Sequence, residues 1–112
     1  MRKLIPILLL ILGSVLVYAL SPSISINAVP GTSVGSTVVI SAYSYDPDSS
    51  GLTSLDIYED GNLSKSVNCN GAQSCSASQT FVNGISNHTY YAVAIDATNN
   101  VVNSSSLTVS FL

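Results

Sequence analysis

Turn signals recur every eight to twelve residues from residue 21 onwards, and this spacing constrains the fold more than any other feature of the chain. Between the signals lie short stretches in which apolar and polar residues alternate, and no stretch after Leu20 has helical periodicity. About seven amphipathic strands of this kind predict an all-β, antiparallel β-sandwich with a small core of Ile, Val, Leu and Ala. We predict strands at 23–27, 36–45, 52–60, 63–67, 75–82, 88–97 and 101–112.

The stretch from Tyr90 to Asn100 has the strongest strand pattern. An aromatic and apolar run carries small residues at every second position and stops at Asp96, just before an Asn-Asn turn. We predict a central strand that turns Tyr90, Ala92 and Ala94 towards the core. In related sandwiches a tyrosine at this place forms a corner hydrogen bond to the backbone, so we assign Tyr90 a structural role.

The first 20 residues have the pattern of an export segment. Arg2 and Lys3 precede an apolar run over residues 4–20, which predicts a helix, and Val17 and Ala19 occupy positions −3 and −1 of a signal-peptide cleavage site. The run is also close to the ~17–25 residues that span a bilayer, so a retained membrane anchor is the alternative. Both readings separate residues 1–20 from a folded domain at 21–112. Both predict an extracytoplasmic protein, secreted or anchored at the cell surface, which contacts the membrane only through residues 4–20 if these are uncleaved.

The folded domain is poor in basic residues. Without Arg2 and Lys3 the formal net charge changes from −3 to −5, and Lys65 is the one remaining lysine or arginine. Such a surface cannot neutralise phosphates, which excludes nucleic acid as a partner. Anionic membrane surfaces are disfavoured for the same reason.

Cys69 and Cys75 are the two cysteines of the chain. In an exported protein a cysteine pair predicts a disulfide, and the Asn-Gly turn between the two allows the chain to fold back to bonding distance. A redox centre favours a C-x-x-C motif, and a zinc site favours four ligands, whereas the chain has a single histidine. The closed loop is short, so we expect a stabilisation below the ~3 kcal/mol estimated for fifteen residues.

Three segments resemble the immunoglobulin-like modules of bacterial and archaeal surface proteins, of the Big and PKD-like kind. They are PGTSVGSTVVISAYSYDPDSSG (residues 30–51), LTSLDIYEDGNL (52–63) and HTYYAVAIDATNN (88–100). They are similar to the family's second strand with its Asp-x-Asp loop, its third strand with its Asp-Gly turn, and the Tyr-x-x-x-Ala-x-Asp and Gly-Asn ending of its sixth strand. The resemblance implies an immunoglobulin-like β-sandwich, and the length after residue 20 is close to the ~100 residues of such domains.

The chain departs from this family at three points. Asn99 occupies a place where the family usually has glycine, although asparagine also tolerates a left-handed conformation. There is no tryptophan, and we expect that Cys69 and Cys75 do not link the two sheets. Members of the family serve as spacer, adhesive or ligand-binding modules, so membership leaves the function open.

Acidic and amide side chains follow the second and sixth predicted strands, whose loops lie at the same end of an immunoglobulin sandwich. Calcium takes carboxylate and amide oxygens as ligands, so these side chains form a candidate calcium site. The alternative is that the aspartates cap their own loops as Asx-turns, which needs no metal. The candidate ligands are Asp46, Asp48, Asp96, Asn99 and Asn100.

Four tyrosines form a candidate partner surface. If Tyr90 points inwards, Tyr91 points outwards, and we expect it beside Tyr43, Tyr45 and Tyr58 in one exposed aromatic row. Such a row would bind a protein or a glycan at the cell surface. The alternative is that these rings cover one another and need no partner.

We expect no catalytic residues. No serine or cysteine nucleophile motif accompanies His88, and Asp56 and Asp60 are predicted to be solvated. The sequence therefore predicts a non-enzymatic module with a spacer, adhesion or assembly role, in which self-association would proceed by strand addition at an open edge. The alternative is a small carbohydrate- or calcium-binding domain, with calcium as the only cofactor considered.

Overall fold

The computed structural model describes residues 20–82 and 86–111, and these ranges contain nine strands. The predicted export segment, apart from Leu20, lies outside the described residues. Within the described ranges no helix is long and apolar enough to span a membrane. The strands are β1 (Ser23–Val29), β2 (Ser33–Val34), β3 (Thr37–Tyr45), β4 (Leu52–Glu59), β5 (Asn62–Asn68), β6 (Ser74–Val82), β7 (Asn87–Asp96), β8 (Val101–Asn103) and β9 (Leu107–Phe111).

The strands form two sheets that face each other. The smaller sheet has the order β1-β3-β6, and the larger has the order β2-β9-β7-β4-β5, with β8 also paired to β7. Neighbouring strands are antiparallel except for β2 and β9, which run parallel. The predicted all-β antiparallel sandwich is therefore confirmed. The additional elements are the two-residue β2 and the division of the last predicted strand into β8 and β9.

β8 and β9 are separated at Ser104, whose side chain takes the place of a backbone acceptor in the hydrogen-bond ladder. The backbone N–H of Ser104 donates to the carbonyl of Ala92 at 2.8 Å, and the N–H of Ala92 donates to the Ser104 hydroxyl at 2.8 Å. A side chain thus accepts the hydrogen bond that a main-chain carbonyl accepts in a regular ladder. The sequence pattern of 101–112 did not reveal this exchange, because serine also occurs on the solvent face of regular strands.

The core lies between the two inner faces and follows the period of two in the sequence. The predicted inward rows of β3, β4 and β7 are buried. Tyr90 is fully buried, and its ring packs on Phe81 with centroids 4.7 Å apart. The Tyr90 hydroxyl donates to Glu59 Oε2 at 2.7 Å, where the sequence predicted a corner bond to the backbone. The large apolar and aromatic residues that are fully buried in the described ranges are Val38, Ile40, Leu52, Leu55, Ile57, Tyr90, Val109 and Phe111.

The sandwich has two poles, which lie about 30 Å apart along the nine residues of β3. The N-terminal pole comprises Leu20 and the loops 46–51, 69–73 and 97–100. These loops are joined by backbone hydrogen bonds from Asp46 to Gln73 (2.7 Å) and from Ala97 to Gly51 (3.0 Å).

The distal pole comprises the Asp60-Gly61 turn, Ser86 and the end of β9. The backbone of Asp60 donates to the carbonyl of Thr89 at 2.8 Å, and that of Phe111 donates to Ser86 at 3.4 Å. The described chain therefore enters the sandwich at one pole and reaches the last residue of β9 at the other.

Cys69 and Cys75 are joined by a disulfide with a Cα–Cα distance of 5.8 Å. Cys69 follows β5 of the larger sheet, and Cys75 lies in β6 of the smaller sheet. The expectation that the cysteines do not link the two sheets is therefore wrong. The short loop between them is the crossing from one sheet to the other, and the sequence did not show that β5 and β6 belong to different sheets.

Candidate functional site

Asp96 lies at the N-terminal pole and caps the loop that follows β7. Its carboxylate accepts hydrogen bonds from the backbone and hydroxyl of Thr98 (2.9 and 2.8 Å) and from the backbone and amide of Asn100 (2.8 and 3.0 Å). Burial by itself raises the pKa of Asp96, but the hydrogen bonds from Asn100 and Thr98 outweigh it and hold the pKa below the ordinary value of 3.8. Asn99 adopts the left-handed conformation, with φ of 66°. The hydrogen-bonding groups of Asp96 and Asn100 are therefore paired with each other within the loop.

Asp46 and Asp48 lie in the neighbouring loop at the same pole. Asp46 is fully buried, and its Oδ1 accepts the backbone N–H of Asp48 at 2.9 Å, as in an Asx-turn. Its Oδ2 is buried and has no hydrogen-bond donor among the residues that the structure describes. Asp48 Oδ2 accepts the backbone N–H of Leu20 at 2.9 Å.

The loops of the predicted calcium site thus lie at one pole, but their carboxylates do not converge. Asp46, Asp48 and Asp96 do not bring three ligand atoms within 4.8 Å of one another. Each aspartate accepts hydrogen bonds from backbone groups at its own pole, which is the behaviour of the Asx-turn alternative for Asp46 and Asp96.

The four tyrosines do not form one row. Tyr43 and Tyr45 are exposed on β3 in the smaller sheet, whereas Tyr58 and Tyr91 belong to β4 and β7 in the larger sheet. Outward residues of the two sheets face opposite sides of a sandwich, so the expected row is divided into two pairs. Tyr58 and Tyr91 stack on each other with ring centroids 4.9 Å apart and an interplanar angle of 1°.

A cluster that the sequence did not predict lies at the distal pole. His88 Nδ1 lies 2.5 Å from Asp60 Oδ2 and 3.8 Å from Glu59 Oε2. His88 Nε2 lies 3.0 Å from the Ser86 hydroxyl, and the imidazole ring meets Phe111 edge-on at 5.5 Å. Within the described ranges, Glu59, Asp60 and His88 are the group whose potential metal-ligand atoms all lie within 4.8 Å.

The turn that follows β4 fixes the position of Asp60. Asp60 and Gly61 both have positive φ, 51° and 85°, which is the requirement of a tight type I′ hairpin turn. The backbone N–H of Thr89 donates to Asp60 Oδ1 at 3.0 Å. The hydrogen bond from Thr89 is the main reason that the pKa of Asp60 lies below its ordinary value of 3.8, and the hydrogen bond from His88 is the second. Desolvation by burial acts in the opposite direction and is outweighed. The Asp60 side chain is therefore a carboxylate at neutral pH.

Comparison with solved structures identifies the architecture. A CARDB domain of Pyrococcus furiosus, solved in complex with di-metal ions, superposes with a TM-score of 0.60 at 16% identity over 81% of this chain and 92% of that chain. The fibronectin(III)-like modules of CbhA from Clostridium thermocellum give a TM-score of 0.58 at 15% identity over 80% of this chain and 96% of that chain. The chain has an immunoglobulin-like fold.

Proteins with different functions share the immunoglobulin-like fold. A lytic polysaccharide monooxygenase of Jonesia denitrificans matches with a TM-score of 0.52 at 21% identity, over 72% of this chain and 57% of that chain. No family model and no curated protein matches the chain. The fold is therefore established at the level of the immunoglobulin-like sandwich, and function has to be argued from the side chains.

The distal cluster depends on one strand pairing of the immunoglobulin-like domain. β4 and β7 are antiparallel neighbours, and their register sets Glu59 opposite Tyr90. The end of β4 and its turn therefore lie beside the start of β7, where His88 lies. The sequence offered one indication of this cluster. The Asp60-Gly61 turn ends β4, and in an immunoglobulin-like sandwich β4 is expected to lie next to β7. Asp60 is exposed, as predicted, but its exposure alone did not indicate the contact with His88. Asp56, also predicted to be solvated, is instead buried and accepts a hydrogen bond from the Ser66 hydroxyl, because β5 pairs alongside it.

Proposed function

We propose that this chain is a non-enzymatic immunoglobulin-like module of the Big and PKD-like kind, outside the cytoplasm, with a spacer, adhesion or assembly role. The observation that carries the proposal is the path of the chain, which enters at the N-terminal pole and leaves at the distal pole. A module of this geometry extends away from whatever holds residue 20. If residues 4–20 remain in a membrane, the distal pole is the part presented to partners.

Two further features support this role. The cysteine pair is joined, and disulfides persist in oxidising compartments outside the cytoplasm. Tyr58 and Tyr91 stack on each other, which favours a structural use of the rings over a flat platform for a sugar.

Assembly by strand addition would use the edge strand β6. This strand has nine residues, none of them charged, and it pairs with β3 on one side. Long uncharged edge strands are templates for pairing with another chain, whereas β5, at the edge of the larger sheet, carries Lys65.

The proposal predicts an oxidised, exported protein. We expect that intact-mass measurement of the native protein, alkylated without prior reduction, shows no modified cysteine, and that reduction makes both cysteines reactive. Protease treatment of intact cells should remove the domain if residues 4–20 anchor it, and the culture medium should contain it if the segment is cleaved. Free thiols in a protein that is protected from protease inside intact cells would contradict the proposal.

Calcium binding at the N-terminal pole is a second candidate function. It is favoured by Asp46 Oδ2, a buried carboxylate oxygen for which the described part of the chain supplies no hydrogen-bond donor. A cation held by this oxygen and Asp48 would compensate the buried charge, and calcium prefers such oxygen ligands. The structurally similar CARDB domain was solved with di-metal ions, which is consistent with metal binding by sandwiches of this kind.

Calcium should raise the thermal stability of the protein if this site exists. Extracellular modules bind calcium with Kd values of about 10⁻⁴–10⁻³ M, so about 5 mM calcium should raise Tm by roughly 5–10 °C relative to chelator. The Asp46→Asn variant should lose this shift, whereas the His88→Gln variant, changed at the other pole, should keep it. An unchanged Tm in the wild-type protein would eliminate calcium as a ligand.

A further inference from the structure

We propose that Glu59, Asp60 and His88 form a binding site for a divalent transition-metal ion, with zinc as the reference ion, at the distal pole. Such a site is additional to the proposed module role, and the sequence pattern did not predict a ligand at these three residues. The ligand atoms are His88 Nδ1, Asp60 Oδ2 and Glu59 Oε2.

The donor set has the chemistry of a zinc site. Zinc binds imidazole nitrogen and carboxylate oxygen at about 2.0–2.2 Å, and three protein ligands with an open fourth position are a common arrangement. Two ligands on a tetrahedral zinc ion are about 3.3–3.5 Å apart at such bond lengths. The 3.8 Å between His88 Nδ1 and Glu59 Oε2 is close to this value. The 2.5 Å between His88 and Asp60 is a hydrogen bond, whose proton the metal would replace.

Each of the three ligands is held by a second partner, as the ligands of metal sites usually are. In the metal-free protein Nδ1–H of His88 donates to Asp60 Oδ2. When a metal ion takes Nδ1, the remaining ring proton lies on Nε2, which can donate to the Ser86 hydroxyl. The backbone N–H of Thr89 holds Oδ1 of Asp60, so that Oδ2 is the oxygen nearest the imidazole. The buried Tyr90 hydroxyl donates to Glu59 Oε2 from the core side. These contacts orient the three ligands before any ion binds.

The ligands are also attached to rigid parts of the fold. Glu59 is the last residue of β4, His88 is the second residue of β7, and Asp60 is fixed by the tight turn between β4 and β5. The side chains of His88 and Glu59 are 19% and 24% exposed, so the cluster opens to solvent on one side. An ion can therefore enter, and a water molecule or a donor from a partner can complete its coordination.

Charge favours a cation at this place. With a neutral imidazole the carboxylates of Glu59 and Asp60 place two negative charges on adjacent residues. Beyond residue 19 the sequence has one lysine and no arginine, so cationic side chains are scarce. A divalent ion would neutralise both carboxylates, and imidazole selects zinc, copper or nickel over calcium and magnesium.

The experiment uses the full-length protein without a polyhistidine tag, titrated with zinc chloride in a calorimeter. We expect one zinc ion per chain. The His88→Gln and Asp60→Asn variants should each weaken binding at least about tenfold. Asp48→Asn, an acidic residue at the opposite pole, should leave zinc affinity unchanged. Near-ultraviolet circular dichroism without metal tests whether each variant is folded.

A second measurement needs no variant. His88 is the single histidine, so nitrogen NMR signals from an imidazole ring belong to this residue alone. Zinc should shift the Nδ1 signal strongly and leave Nε2 as the protonated nitrogen. A wild-type protein that binds no zinc at about 1 mM, a His88→Gln variant of unchanged affinity, or a zinc shift confined to Nε2 would each overturn the proposal.

Discussion

The Gly51→Ala variant should lose more than about 3 kcal/mol of unfolding free energy, with two causes that add. Gly51 has φ of 77°, in the left-handed region, where a side chain costs about 1–2 kcal/mol. A Cβ atom at Gly51 would also lie 1.9 Å from the carbonyl oxygen of Gly71, and backbone cannot move aside as a flexible side chain can. Relief of this collision would separate the two loops and break the hydrogen bonds from Leu52 to Ala72 and from Gly71 to Leu52, both 2.8 Å.

Gly71→Ala is the matched control for this prediction. Gly71 has nearly the same φ, 78°, but a Cβ atom there would meet no atom of residues 20–82 and 86–111 within 4 Å. This variant should therefore show only the conformational cost of about 1–2 kcal/mol. Urea denaturation of the two variants measures the difference. Equal losses, within about 0.5 kcal/mol, would show that the loops do not approach each other as closely as described.

The Asp96→Asn variant should lose about 2–4 kcal/mol at neutral pH, because Asp96 is fully buried and accepts four hydrogen bonds from its own loop. An amide at this position offers one oxygen and turns an N–H group towards donors that need acceptors. The loop at 97–100 should open, and chemical denaturation measures the loss. Asp48→Asn provides the comparison: Asp48 accepts one exposed bond, from Leu20, and its loss should cost below about 1 kcal/mol.

The same carboxylate gives the stability a defined pH dependence. The pKa values of Asp96 and Asp60 are lower in the folded protein than their ordinary value of 3.8. The unfolded chain therefore binds protons first as the pH falls, and stability is complete above pH 3.8 and decreases as the pH passes below it. The acid-induced loss should be smaller in Asp96→Asn, which has one such group fewer. Identical acid dependence in the variant and the wild-type protein would contradict the hydrogen-bonded state of Asp96.

The strands were predictable because burial of one face of a strand requires apolar residues at every second position of the sequence. The alternation of Val38, Ile40 and Ala42 in β3, and of Tyr90, Ala92 and Ala94 in β7, gave the correct inward faces. The all-β sandwich follows from these rows together with the turn signals between them.

What the sequence did not show is which strands belong to the same sheet. Tyr43 and Tyr58 have similar outward patterns, yet their strands lie in different sheets. Cys69 and Cys75 lie close in the chain, yet their bond spans the two sheets. Glu59 and His88 are distant in the chain and meet only because β4 pairs with β7. Alternation defines faces, whereas sheet membership depends on long-range pairing that no local pattern contains.

The path of the chain from pole to pole also determines how the domain would carry mechanical load. β1 starts at the N-terminal pole and pairs with β3 over seven residues, from Ser23 opposite Tyr45 to Val29 opposite Val39. A pull on residue 20, away from the distal pole, acts along β1 and stretches this ladder in shear. All its hydrogen bonds then share the force, instead of opening one after another as in a strand that is peeled away. As a tether, the module would resist extension through the strand that first receives the tension.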